Sequence, residues 1–144
     1  MPIAINGSGT ITGISVGGIP DGTVDTDVLA ANAVTYAKLG TTEQGQLCKA
    51  FVNFNGTSTV AIRASYNVSS ITDNGTGDYT VNFTTAMADA NYSAVAQIDT
   101  SGGSTATSPA LISSLTAGSA RLFVRNGTTG AYIDQTIFCV AVFR

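Results

Sequence analysis

The chain has 144 residues, only 10% of them charged, and it contains neither histidine nor tryptophan. This length fits one compact domain with, at most, an appendage. A formal net charge of −3 argues against the basic surface that nucleic-acid binding depends on, and the lack of histidine excludes Ser/His/Asp and Cys/His catalytic sites.

The chain also carries no signal for a membrane. Its longest apolar run, Ile137–Phe143, is far shorter than the roughly 20 residues that a membrane-spanning helix needs. The N-terminal MPIAINGSG has neither the basic start nor the apolar stretch of a secretory signal. We therefore expect no membrane insertion, and synthesis and folding in a cytoplasm.

Residues 1–22 predict an extended N-terminal arm. They include six glycines, which lose the most backbone entropy on ordering, so this stretch cannot bury enough apolar surface within itself. Isolated apolar residues at every second or third position suit an arm that lays one side on another surface. A disordered tail is the alternative.

Residues 25–27, Asp-Thr-Asp, precede the sequence VLAANAVTYAKLG and predict a short helix over about 26–39. Asp or Thr supplies the N-cap, Lys38 lies near the C-terminus, and Gly40 can take the left-handed cap. A helix of this length is marginal alone, and the equivalent helices of two neighbouring copies would give it a partner surface. Residues 41–46 are predicted to be a hinge.

These features divide the chain into a docking and oligomerisation segment, 1–47, and a head domain, 48–144. The predicted docking contacts are the apolar residues Ile11, Ile14, Val16, Ile19, Val28, Leu29, Val34, Tyr36 and Leu39.

The head predicts an all-β fold, an antiparallel β-sandwich of jelly-roll-like form. Asn55-Gly56 lies between two β-rich runs and predicts a hairpin with a type I′ turn, and Asn74-Gly75 and Asn126-Gly127 repeat this pattern. The strands are predicted at about 49–55, 58–65, 66–71, 78–84, 92–99, 108–115, 119–126 and 131–143.

Alternation within the strands predicts which side faces the core. Tyr79, Val81 and Phe83 share one side of their strand, and Leu122 and Val124 share one side of theirs. The last strand, IFCVAVF, is apolar on both sides, which is typical of a central strand covered twice or of a strand packed against another subunit.

The two cysteines, Cys48 and Cys139, are interpreted as small buried hydrophobic residues, and a bridge between the first and last strands remains the alternative. No pair of acidic residues is spaced to face one cleft. The loop 73–78, DNGTGD, resembles an oxygen-rich calcium loop but lacks the third acid and the closing Glu, so we predict a turn. We expect no enzymatic activity, metal or cofactor.

Arg121 and Arg125 fall on the same side of one predicted strand. The pair can bind an anionic group, or it can form a solvated surface or an intersubunit salt bridge.

Two adjacent segments carry a family resemblance. GTITGISVGGIPDGTVDTDVLAANAVTYAKLG and KAFVNFNGTSTVAIRASYNVSSITDNGTGDYTVNFTTAMADANY resemble modules of tail-fibre-like and other virion structural proteins of tailed bacteriophages, notably marine ones. Together they cover most of the first 92 residues. The resemblance implies a non-enzymatic virion protein, usually a homotrimer.

The chain has no long repetitive or coiled-coil region to form a fibre shaft. We therefore expect a homotrimeric capsid decoration or cement protein that docks through its arm on the major capsid protein. The alternative is a short tail-fibre or adsorption-apparatus subunit, attached to tail proteins, whose head binds a host surface receptor or glycan. Tyr66, Tyr92 and Tyr132 are the residues that can stack on a sugar ring.

Overall fold

A computed structural model describes residues 29, 31, 33–99 and 109–144 of the chain, which divides into two units, Met1–Leu39 and Gly40–Arg144. In the first unit, a single turn of 3₁₀ helix spans Tyr36–Lys38, and the Lys38 ammonium donates a hydrogen bond to the Ala33 carbonyl at 2.9 Å. The second unit begins with the α-helix α1, Thr41–Gln46, and continues into eight strands.

The helical boundaries differ from the prediction. Of the predicted helix over 26–39, residues 29, 31 and 33–39 are described. They contain the 3₁₀ turn and no α-helix, so the prediction is wrong for these residues. The α-helix lies in 41–46, the predicted hinge, so that interpretation is wrong. Gly40 does not take the left-handed cap, since its φ of −64° and ψ of 162° are extended, and it forms the N-cap of α1.

The eight strands form two antiparallel four-stranded sheets, which confirms the all-β sandwich. The first sheet has the order β2-β1-β8-β5, and the second has the order β3-β4-β7-β6. Three pairs of consecutive strands are hydrogen-bonded neighbours: β1–β2 in the first sheet, and β3–β4 and β6–β7 in the second. The strands are β1 Cys48–Asn55, β2 Ala61–Tyr66, β3 Val68–Gly75, β4 Asp78–Phe83, β5 Ser93–Ile98, β6 Leu111–Thr116, β7 Ser119–Phe123 and β8 Phe138–Phe143.

The predicted inward residues form the core between the sheets. Tyr79, Val81 and Phe83 of β4 are buried, and so are Leu122 and Val124 in and after β7. Successive side chains of a strand point to opposite sides of the sheet, so the residues between these inward ones point outward. The first sheet contributes the inward residues Ala50, Val52, Phe54, Phe138, Val140 and Val142, all nearly inaccessible to solvent.

Three aromatic rings fill one end of this core. The Phe54 and Phe138 rings stack with centroids 4.9 Å apart, and Tyr79 meets both edge-on at 5.3 and 4.8 Å. Edge-to-face and offset contacts at these separations are the favourable ones for aromatic pairs. The three residues join β1 and β8 of the first sheet to β4 of the second.

The turns differ from the predicted type. Neither Asn55 nor Gly56 has a positive φ, so β1 and β2 are not joined by a type I′ turn, and their connection runs over 56–60 with Ser58 in the left-handed region. Gly56 is required for a different reason. A Cβ there would lie 2.6 Å from a Phe138 ring carbon and 2.8 Å from the Tyr79 hydroxyl.

Asn67, between β2 and β3, forms the corner where the chain passes from the first sheet to the second. Its φ is +55°, which Asn tolerates better than most residues. Its side-chain amide donates to the Lys49 and Thr85 carbonyls at 3.1 Å and accepts from the Thr85 N–H at 2.7 Å. These bonds tie the corner to β1 and to the loop after β4.

Candidate assembly surface

The outer side of the first sheet carries a row of apolar side chains that crosses all four strands. Tyr66 of β2 pairs with Phe51 of β1, Phe51 pairs with Ala141 of β8, and Ala141 pairs with Val95 of β5. Tyr66 is 59% exposed, Val95 58% and Phe51 42%. The Phe51 and Tyr66 rings stack with centroids 6.3 Å apart.

A second row follows in the next outward register of the same strands. It contains Ala64, Asn53, Cys139 and Gln97, which the register places opposite one another. We call these two rows the uncharged face. It consists of Phe51, Asn53, Ala64, Tyr66, Val95, Gln97, Cys139 and Ala141.

The face arises because β8 is apolar on both sides and β1 adds the outward Phe51 beside it. The inward residues of β8 are Phe138, Val140 and Val142, so Cys139 and Ala141 point outward between them. β8 is therefore a central strand, as predicted, but the described residues cover only its inner side. A shallow depression of about 310 Å³ lies on this face, lined by six of its eight residues and by the β1 and β8 backbone.

The outer side of the second sheet differs in chemistry. Its side chains hydrogen-bond to one another, with the Asn82 amide donating to the hydroxyls of Ser70 at 3.1 Å and Thr72 at 2.9 Å. Arg121 forms a two-pronged ion pair with Asp78, with N–O distances of 2.8 and 2.6 Å. These polar groups form their hydrogen bonds within the sheet and can face water. The apolar row of the first sheet exposes hydrophobic side chains to solvent instead.

The predicted docking residues fall in the first unit. Ile11, Ile14, Val16, Ile19 and Val28 lie outside the described residues. Leu29 is 46% exposed, Val34 57% and Tyr36 52%, while Leu39 is half-buried. Their role in docking stays a prediction.

The two cysteines do not fit the interpretation as buried residues. Cys139 is exposed, Cys48 is half-buried, and both are free thiols. Although β1 and β8 are neighbours, Cys48 lies opposite Phe143 and Cys139 opposite Asn53. The two residues are therefore separated by five strand positions, or about 17 Å along the sheet, and no bridge between them forms.

The three candidate sugar-stacking tyrosines have different surroundings. Tyr92 is buried, and its hydroxyl donates to the Ser119 carbonyl at 2.7 Å, so it is not available to a ligand. Tyr66 belongs to the uncharged face. Tyr132 is 41% exposed and accepts a hydrogen bond at 2.7 Å from Arg125, whose guanidinium lies over both the Tyr132 and Phe123 rings.

Arg121 and Arg125 therefore have separate partners. Arg121 binds Asp78, and its hydrogen bonds hold the pKa of that carboxyl below the ordinary value of 3.8. Arg125 lies beyond the end of β7 and stacks on aromatic rings. The two arginines do not converge on one anion site.

The acidic residues of the head are engaged in local hydrogen bonds. In the loop 73–78, Asp73 accepts from the Gly75 N–H at 2.9 Å, and Asp78 is paired with Arg121. Asp89 forms an ion pair with Arg144, which together with the Asn91 N–H lowers the Asp89 pKa to about 2. Across the described ranges, no three His, Cys, Asp or Glu side chains cluster as metal ligands would.

A polar cluster at the aromatic end of the core joins the buried Tyr79 and Gly56 to the exposed Asp134. The Tyr79 hydroxyl lies 2.5 Å from an Asp134 carboxylate oxygen and 2.7 Å from the Gly56 carbonyl, and the same Asp134 oxygen accepts from the Gly77 N–H at 2.7 Å. Burial, and then the neighbouring carboxylate, raises the pKa of the Tyr79 phenol well above its ordinary value. The phenol therefore stays protonated and ties two loops to the core.

The uncharged face was only partly foreseen in the sequence. The two-sided apolar pattern of β8 indicated that one side needed a cover, and subunit packing was one of the two interpretations. Strand order cannot be read from local sequence patterns, however, so nothing showed that Tyr66, Phe51 and Val95 would extend the same row. That row depends on β8 lying between β1 and β5.

Comparison with protein-family models, curated proteins and solved structures found no match for this chain. In the part of the chain that the structure describes, no helix has the length and apolar character needed to span a membrane.

Proposed function

We propose that this chain is a structural protein of a bacteriophage virion, a homotrimer that decorates and stabilises the capsid. The observation that carries this proposal is the uncharged face, on which Phe51, Tyr66 and Val95 stay 42–59% exposed. Exposed apolar surface that is continuous across a whole sheet is typical of surfaces that meet another protein. A subunit of a larger assembly has such a surface by necessity.

The N-terminal segment supports the same role. Residues 1–22 combine six glycines with isolated apolar residues, a composition suited to lying on a surface supplied by another protein. In this proposal the arm docks on the major capsid protein, and the sandwich forms the outward head. The resemblance of the first 92 residues to phage virion modules supports the same assignment.

Copy number in purified particles tests this function. Quantitative mass spectrometry of virions of the encoding phage should find the chain in hundreds of copies per particle if it decorates the capsid. Absence from purified virions would overturn the proposal.

Docking is tested separately, by adding recombinant protein to particles that lack it. The full chain should bind, whereas a variant without residues 1–39, which keeps the whole second unit, should stay in the supernatant. Equal binding by the two proteins would contradict the role of the arm.

A second candidate function is supported by the cluster of the half-buried Phe123 with the exposed Arg125 and Tyr132. Two aromatic rings beside a guanidinium can stack on a sugar and bind its acidic groups. In this alternative the chain is a short tail-fibre or adsorption-apparatus subunit, present in a few to tens of copies per virion. Antiserum against the head should then block adsorption to host cells, an effect not expected of a capsid decoration.

A further inference from the structure

We propose that the uncharged face is the surface by which copies of this chain pack against one another around a symmetry axis. This inference rests on the proposed function, because it names the partner that the assembly surface meets. The partner is a second copy of the same sheet, rather than a capsid or host protein.

The charge distribution favours self-association. In a closed symmetric assembly, side chains near the axis meet their own symmetry copies, so any charge there faces a like charge. The eight residues of the uncharged face include no Asp, Glu, Lys or Arg. Two cations border the face. Arg63, at the bulge in β2, donates to the Asn53 side chain at 3.3 Å, and Lys49, two residues before Phe51 on β1, donates to the Gln44 carbonyl at 2.6 Å.

The second sheet shows what a solvated outer side looks like in the same molecule. Asp78 and Arg121 lie on its two central strands, so two copies packed through this side would bring like charges together. The chain has nine acidic and six basic residues, yet all of them are kept out of the two rows on the first sheet. A partner recognised by charge complementarity would find no counter-charge in those rows.

The area of the face predicts how strong the contact is. Four strands about 4.8 Å apart and six residues long present roughly 400 Å². A stable interface buries about 800 Å² on each partner. The face therefore supplies about half of a standard interface, and a single charge placed in it should be enough to dissociate the copies.

Val95→Glu in the full-length chain is the test, and Leu111→Glu is its matched control. Val95 lies on the edge strand β5 of the first sheet and Leu111 on the edge strand β6 of the second, with exposures of 58% and 44%. Both substitutions put one carboxylate on the outer side of an edge strand, so a general effect of charge on the fold should be the same in both.

Sedimentation velocity should show the wild-type chain and Leu111→Glu as oligomers, with self-association weakened about 100-fold or more in Val95→Glu. In the wild-type oligomer the Cys139 thiol should react with a thiol reagent more slowly than in the Val95→Glu protein. Equal far-UV circular dichroism spectra of the two folded variants show that the sandwich is intact; their Tm values are not expected to be equal, because self-association raises the Tm.

Three results would overturn the proposal: a monomeric wild-type chain, an oligomeric Val95→Glu protein, or equal dissociation by both variants. If the wild-type chain is monomeric and Val95→Glu loses only particle binding, the face contacts a virion protein instead. In that outcome the self-association proposal and the homotrimer both fail, and only the chain's presence in the virion stands. Absence of the chain from virions would remove the function and leave the oligomer measurement unaffected.

Discussion

Replacing Tyr79 with phenylalanine should destabilise the sandwich, although the ring and its packing are kept. The Tyr79 side chain is completely buried, and its hydroxyl has two acceptors, Asp134 at 2.5 Å and the Gly56 carbonyl at 2.7 Å. Tyr79→Phe removes this hydroxyl and leaves the Gly77 N–H, which also donates to Asp134. It leaves the Asp134 carboxylate with one bond fewer and the Gly56 carbonyl without its hydroxyl partner.

The size of the effect follows from the kind of hydrogen bond that is lost. A hydrogen bond to a charged group contributes about 1.5–3 kcal/mol. Water can reach the exposed Asp134 carboxylate in the variant, whereas the Gly56 carbonyl is buried and loses its hydroxyl partner. We expect a loss of about 2 kcal/mol in the free energy of unfolding, or a fall of about 8 °C or more in Tm for a domain of this size.

The assay is thermal and urea unfolding at one fixed protein concentration, because self-association makes Tm depend on concentration. Tyr66→Phe is the control, since this tyrosine is 59% exposed, and its change should stay within about 0.5 kcal/mol. The double variant with Asp134→Ala should be more stable than the sum of the single effects predicts, with a coupling of about 0.5–3 kcal/mol. Additive effects, or a Tyr79→Phe protein as stable as the wild type, would refute this account of the polar cluster.

Three further predictions concern the loops and the ion pairs. Gly77→Ala should lower the free energy of unfolding by more than about 2 kcal/mol, because the φ of Gly77 is +65° and a Cβ would lie 2.6 Å from a neighbouring carbonyl oxygen. Gly118→Ala is the control: it has open space around it, and its free energy of unfolding should stay within about 0.5 kcal/mol of the wild type. Equal effects of the two substitutions would contradict the argument. Asp78→Asn should cost up to about 1 kcal/mol at pH 7, since its pair with Arg121 is partly exposed. Because the folded-state pKa of Asp78 is lowered, the stability from the ion pair is present above pH 3.8 and is lost as the pH falls through the lowered pKa. The urea midpoints of variant and wild type should therefore converge in acid, and a constant gap between them would be inconsistent with the ion pair. EDTA should leave the Tm unchanged, because Asp73 and Asp78 already accept hydrogen bonds from the protein; a large fall would indicate a metal in that loop.

The strands of the head were predictable because their signal is local. Alternation in DYTVNF identifies Tyr79, Val81 and Phe83 as inward residues whichever strands lie beside them, and the structure buries all three. All eight strands were expected, with ends that differ by up to seven residues. The largest such difference is in the last strand, which begins at Phe138 rather than at 131 because the preceding residues form loops around Asp134.

The features that were missed depend on contacts between distant parts of the chain. Asn55-Gly56 has the sequence of a type I′ turn, but Gly56 is held against Phe138 and Tyr79, and this close approach fixes its backbone. Cys139 was interpreted as a small buried hydrophobic residue, yet the alternation of β8 turns it outward between two inward residues. The uncharged face depends on strand order, which no local pattern gives.

The mass of the full-length chain in solution is the most direct test of its role as an assembly subunit. Sedimentation equilibrium should give about three times the chain mass of 14.6 kDa. A mass of 14.6 kDa at every concentration would contradict the account, since the uncharged face would then be left open to solvent in a stable, freely diffusing monomer.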